Sequence, residues 1–84
     1  MQKPVRIYTL STCGHCKATK KLLDRLEIKY EFIDVDLLPF EQQNAVLDDV
    51  KKYNPQCSFP TIIIGDGVIV GYNEQEIRSA LSLK

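Results

Sequence analysis

The sequence predicts an α/β fold in the order β-α-β-α-β-β-α, a four-stranded mixed sheet with three flanking helices. Three observations carry that prediction. Short apolar runs alternate with helical periodicity through the first half of the chain, which makes two parallel strands joined by a right-handed crossover helix. Gly65-Asp66-Gly67 stands between two runs of β-branched residues, a strong hairpin signal that adds an antiparallel pair. The length of 84 residues leaves room for one domain, residues 1–84, and no second.

Each element follows from its residues. Val5, Ile7 and Tyr8 to Leu10 form the first strand. A helix then runs from about Cys13–Cys16 to Leu26. At about 100° per residue, Ala18, Thr19, Leu22, Leu23 and Leu26 share the face toward the sheet, with Lys17, Lys20 and Lys21 opposite. Tyr30 to Asp36 alternates apolar and acidic residues and reads as the second strand. Pro39 opens the second helix, because its missing N–H costs nothing in a first turn. Val46, Leu47, Val50 and Tyr53 recur at helical spacing behind it, and Asn54-Pro55 ends it. Thr61 to Ile64 and Val68 to Val70 are the third and fourth strands. Asn73 is the N-cap of a last helix carrying Ile77, Ala80 and Leu81, with Glu76 at the capping-box position. Tyr8 and Tyr53 are expected in the interior.

Composition narrows the function. Lysine plus arginine equals aspartate plus glutamate at 11 each, so no global field attracts nucleic acid or anionic lipid, and neither is expected as a partner. No apolar signal core follows Met1, and no stretch is long enough to span a bilayer. The expected location is therefore cytoplasmic and the expected state a monomer. Structural disulfides are rare in the cytoplasm, and three cysteines fit a disulfide scaffold poorly. Catalysis and metal binding remain.

Cys13-Gly14-His15-Cys16 falls where a strand gives way to a helix. Two thiols at this spacing close a small disulfide ring and reopen it, and a C-x-x-C beside a βαβ pattern reads as a redox site. Cys13 lies at the exposed, positive end of the helix, which favours its thiolate. It is the expected nucleophile, and Cys16, on the apolar side, the sheltered resolving thiol. His15, between them, is expected to stabilise the thiolate and to set a potential of about −240 to −180 mV, above that of thioredoxin. Lys17 is a candidate source of further positive potential, while Lys20 and Lys21 read as solubilising. No metal site is expected. Structural zinc wants four ligands, and His15 lies between the two cysteines, poorly placed to complete a tetrahedron with them. Cys57 reads as an inert, partly buried side chain.

The chain resembles the glutaredoxins, in the small branch that includes the redoxins serving ribonucleotide reductase. Ile7-Tyr8-Thr9 leading into Cys13–Lys21, Phe59-Pro60-Thr61, and Gly65-Asp66-Gly67 through Gly71 to Asn73-Glu74 carry the resemblance. The Cys-Gly-His-Cys tetrad is more similar to disulfide isomerase sites than to the Cys-Pro-Tyr-Cys of many glutaredoxins. The resemblance implies a thioredoxin fold, dithiol–disulfide exchange at Cys13 and Cys16, and protein disulfides as substrates. It also implies a cis-proline at Pro60 facing the cysteines, with the backbone of Phe59 left to pair with substrate. Thioredoxins carry a buried carboxylate on the first strand, where this chain has none, so water or His15 is expected to deprotonate the resolving thiol.

Glutathione or a partner reductase is the expected electron donor. No bound cofactor is expected, since no nucleotide or flavin motif is present. Glutaredoxins that bind glutathione carry a basic residue where this chain has Gln56 or Cys57, and a Gly-Gly and acidic pair where it has Gly71-Tyr72-Asn73-Glu74. Asn73 is either a carboxylate site or a simple N-cap. Tyr72 is either a packing residue or a lip of the substrate groove. The alternative class is a non-catalytic metal-binding or protein-binding module using the Phe59–Tyr72 groove.

Overall fold

A computed structural model describes residues 3–81. The elements follow the predicted order: β1 (Val5–Thr9), α1 (Gly14–Arg25), β2 (Glu31–Asp34), α2 (Phe40–Tyr53), β3 (Thr61–Ile64), β4 (Gly67–Val70) and α3 (Glu74–Ala80). The sheet order is β2-β1-β3-β4, with β1 parallel to β2 and the other two pairings antiparallel. One row of the register runs Phe32, Ile7, Ile62, Ile69 across the sheet. This is the thioredoxin fold in its four-stranded form.

Strand alternation gives the sheet two apolar faces. Ile7, Ile62, Ile64 and Ile69 pack with Leu22 and Leu23 of α1 and Ile77 of α3. Tyr8 packs on the other face with Val35 and Val50, joined by Ile63, Val46 and Leu47. The hairpin turn is Gly65-Asp66, closed by the Ile64–Gly67 pair. Gly65 sits at φ +57, a left-handed conformation that glycine adopts at little cost.

The structure departs from the sequence reading in three places. β2 ends at Asp34, and Val35–Leu37 form a 3-10 turn, because Asp36 turns away to accept hydrogen bonds from Ser11. Pro39 is the N-cap rather than the first helical residue of α2. Tyr53 is 44% exposed and lines an open groove with Pro4, Arg6, Tyr30 and Ile63, at the end of the sheet away from the cysteines. Phe32 is 50% exposed on the edge strand β2, where the Lys20 side chain reaches over its ring and the Tyr30 ring lies 6.2 Å away between centroids. Among the described residues, no helix is long and apolar enough to cross a membrane.

Candidate functional site

The chain leaves β1 at Thr9, turns through a Cys13 N–H to Leu10 C=O bond of 3.1 Å, and enters α1. Cys13 is the N-cap of that helix. Its backbone is extended, and its sulfur accepts the Cys16 N–H at 3.2 Å, the part usually taken by a side-chain oxygen. The first sulfur is thus held at the positive end of α1 with partial exposure, while Cys16, one turn on, is completely buried. Burial pushes the Cys16 thiol up to about 12, aided by its neighbour Cys13; the Leu10 backbone and Lys20 act against that shift.

Facing Cys13 is the segment that enters β3. The Phe59–Pro60 peptide is cis, and the Phe59 carbonyl oxygen lies 4.0 Å from Cys13 Sγ. Pro60 is buried, and its carbonyl accepts the Gly71 N–H at 2.8 Å. Among the described residues, no backbone hydrogen bond occupies the Phe59 N–H or C=O. A peptide group with no backbone partner, its carbonyl met only by the long contact from the Cys13 thiol, therefore stands beside the first sulfur.

The remaining expected residues divide. Gly71, at φ +85, is brought against Pro60 by its N–H bond. Tyr72 packs partly buried against the core cluster of α1 and α3. Asn73 Oδ1 accepts the Glu76 N–H at 3.1 Å, so its side-chain oxygen is engaged in capping α3. His15 and Lys17 are exposed on the first turn of α1, where the His15 carbonyl accepts the Thr19 hydroxyl at 2.9 Å. Cys57 is partly buried in the α2-side cluster, at φ +55.

Lys20 corrects the sequence reading. It is not a solubilising residue: its Nζ pairs with Asp34 at 3.2 Å, both side chains being mostly buried, and lies 3.9 Å from the centroid of the Phe32 ring. Asp34 also accepts the Thr9 hydroxyl, across the Thr9–Asp34 register of β1 and β2. β1 does lack a carboxylate, but β2 brings one to the end of the sheet where the cysteines lie. The signal that could have found it was the acidic residue at the end of the second strand, read together with a lysine one turn after Cys16.

Comparison with known proteins agrees with this geometry. Residues 5–69 match the family model for glutaredoxin. A glutaredoxin-like 8.6 kDa protein from the rubredoxin operon of Clostridium pasteurianum is 32% identical over 73 residues, covering 87% of this chain and 91% of that one. Glutaredoxin 1 of Rickettsia prowazekii is 37% identical over 65 residues; the match covers 77% of this chain and 64% of that protein, so the chain spans just under two thirds of that relative's length. Among solved structures, methanoredoxin of Methanosarcina acetivorans is similar with a TM-score of 0.92 and 43% identity, over 96% of this chain and 86% of that one. With its paired thiols at the head of α1, the chain belongs to the glutaredoxin family of thioredoxin-fold redox proteins.

Proposed function

We propose that the protein is a dithiol–disulfide oxidoreductase that reduces protein or small-molecule disulfides through Cys13 and Cys16, in the service of cell redox homeostasis. One observation carries this reading: a reachable sulfur at the head of α1 is backed by a second, fully buried sulfur one helical turn away. In the first step the Cys13 thiolate attacks a substrate disulfide. A Cys13–substrate disulfide forms, and the other substrate sulfur leaves as a thiolate that takes a proton from water. In the second step Cys16 gives up its proton and attacks Cys13 Sγ. The Cys13–Cys16 disulfide forms and the second substrate thiolate is released, so two electrons pass from protein to substrate. A glutathione pair or a reductase returns them.

The helix N-terminus and the Cys16 N–H favour negative charge on the attacking sulfur. Phe59 offers the substrate backbone a strand-like pairing edge, and Pro60 is tied behind it by the Gly71 N–H. His15 and Lys17, both exposed on the first turn of α1, are assigned in this reading to the substrate side of Cys13. The carboxylate role considered for Asn73 is set aside in this reading, in favour of capping.

The test is disulfide reduction by variants. Cys13→Ser brings reduction to background. Cys16→Ser leaves the first step intact and accumulates a Cys13–substrate mixed disulfide, visible by intact mass. Unchanged reduction by Cys13→Ser, or stoichiometric zinc in anaerobically purified protein, would favour the non-catalytic metal-binding module instead.

A further inference from the structure

The loop joining α2 to β3 contains a buried polar hub that disulfide exchange does not itself require. Asn54 ends α2 and is 3% exposed. Its backbone N–H closes the helix on Val50 C=O at 2.8 Å, and its C=O accepts the Cys57 N–H at 2.8 Å. Its side chain reaches forward along the chain. Nδ2 lies 3.0 Å from Ser58 O, 3.0 Å from Ser58 Oγ and 3.2 Å from Thr61 Oγ1, while Oδ1 accepts the Gln56 N–H at 3.2 Å. Thr61 Oγ1 donates to Ser58 O at 2.8 Å and is itself buried.

Ending a helix before Pro55 needs no buried amide; proline at the next position already discourages the helical conformation. A buried amide costs free energy unless its hydrogen bonds are made, and here every one of them goes to residues 56, 58 and 61. No buried side-chain polar atom among the described residues lacks a partner. A fully satisfied network of this kind rigidifies what it ties together. Ser58 and Thr61 bracket Phe59 and Pro60, the residues that face Cys13. From the other side, the Gly71 N–H to Pro60 C=O bond holds the same segment.

We propose that Asn54 is a positioning residue for substrate: by clamping Ser58 and Thr61 it holds the Phe59 peptide group, which has no backbone partner, in place beside Cys13, as the edge on which the extended backbone flanking a target disulfide docks. The role rests on the disulfide-exchange reading and refines it, since it makes polypeptide disulfides the preferred substrate class. A loop ordered in advance spares the complex the cost of ordering it on binding. A small disulfide without peptide groups gains nothing from it.

The experiment compares Asn54→Ala with wild type on two substrates, a cystine flanked on both sides by extended peptide and hydroxyethyl disulfide. The expected result is a rise of about tenfold in KM for the peptide, the effect of roughly one hydrogen bond. For kcat on the peptide, and for both constants on hydroxyethyl disulfide, changes stay within about twofold. Thr61→Val keeps the side-chain shape and removes the hydroxyl that accepts from Asn54 and donates to Ser58 O; it gives the same split at smaller amplitude and carries the test alone if Asn54→Ala does not fold. Equal loss on both substrates overturns the proposal, because a merely structural residue would act on both. So does an unchanged peptide KM. The two readings fail separately: wild-type protein that reduces neither substrate sinks the exchange chemistry and the Asn54 role with it, whereas wild-type turnover of both substrates with no split in the variants sinks the Asn54 role alone.

Discussion

At the scale of single residues, the division of labour between the thiols comes from where α1 starts. The helix wheel placed Cys16 on the apolar side with Thr19, Leu22 and Leu23, and all four are buried. Lys20 was illegible by the same method, because a wheel shows which way a lysine leaves the helix and not the carboxylate of another element toward which it folds. Burial also has a consequence for stability. A cysteine in the unfolded chain titrates near 9.0, while Cys16 in the fold keeps its proton up to about 12. Between those values the unfolded chain has lost a proton that the folded one retains. The stabilising contribution is therefore complete below about pH 9 and is lost as pH rises toward 12. The urea midpoint of the reduced wild type is expected to fall further between about pH 8 and about pH 10.5 than that of Cys16→Ala. Groups such as Tyr30, whose hydroxyl burial also pushes up, titrate in both proteins and cancel in the comparison. Equal falls in the two proteins would mean that the buried thiol does not contribute.

At the scale of elements, the site is held by ties between segments far apart in sequence, and these are what periodicity could not show. The hairpin and α3 were legible because their signals are local: Gly65 in the turn and Asn73 at the cap. The end of β2 was not. Tyr30 to Asp36 alternates throughout, and only the Ser11–Asp36 hydrogen bonds, which hold the Asp36 carboxyl below the usual carboxylate range, mark where the strand stops and the 3-10 turn begins. The tie with the larger energetic weight joins α1 to β2 through Lys20 and Asp34, whose side chains are 21% and 16% exposed. Lys20→Met leaves the Asp34 carboxylate with the Thr9 hydroxyl and no cation, at an expected cost of about 1–3 kcal/mol. Denaturant midpoints of Lys20→Met, Asp34→Asn and the double variant measure it, since a coupling energy near zero in that cycle would show the pair to be independent. The same lysine favours ionisation of Cys16, so Lys20→Met is also expected to slow conversion of a Cys13 mixed disulfide to the Cys13–Cys16 disulfide, followed by stopped flow.

At the scale of the molecule, the crossover rule gave the β1–β2 pair and the hairpin the β3–β4 pair, while the antiparallel β1–β3 pair that joins the two halves has no local signal. What escaped was how sparsely α2 covers its face. Val50 is its only fully buried residue, so Tyr53, helical spacing notwithstanding, lies at the open end of the sheet. In a small domain with a modest core, the redox state of one pair of thiols weighs heavily on overall stability. The free energy by which the fold prefers dithiol over disulfide, relative to the unfolded chain, equals the difference in unfolding free energy between the reduced and oxidised proteins. His15, between the two cysteines in sequence and exposed on the first turn, is expected to favour the dithiol state. The potential is then expected between about −240 and −180 mV, against about −270 mV for thioredoxin. His15→Ala is expected to lower it by about 30 mV, which for this two-electron couple is about 1.4 kcal/mol. Equilibration with glutathione buffers measures the potential, and denaturation of both redox forms measures the stabilities. In the variant, the stability gap between reduced and oxidised protein must move by the same free energy as the potential, in the direction that favours the disulfide. A potential unmoved by the substitution removes His15 from the chemistry, and a potential that moves without the stability gap places its effect in the unfolded chain.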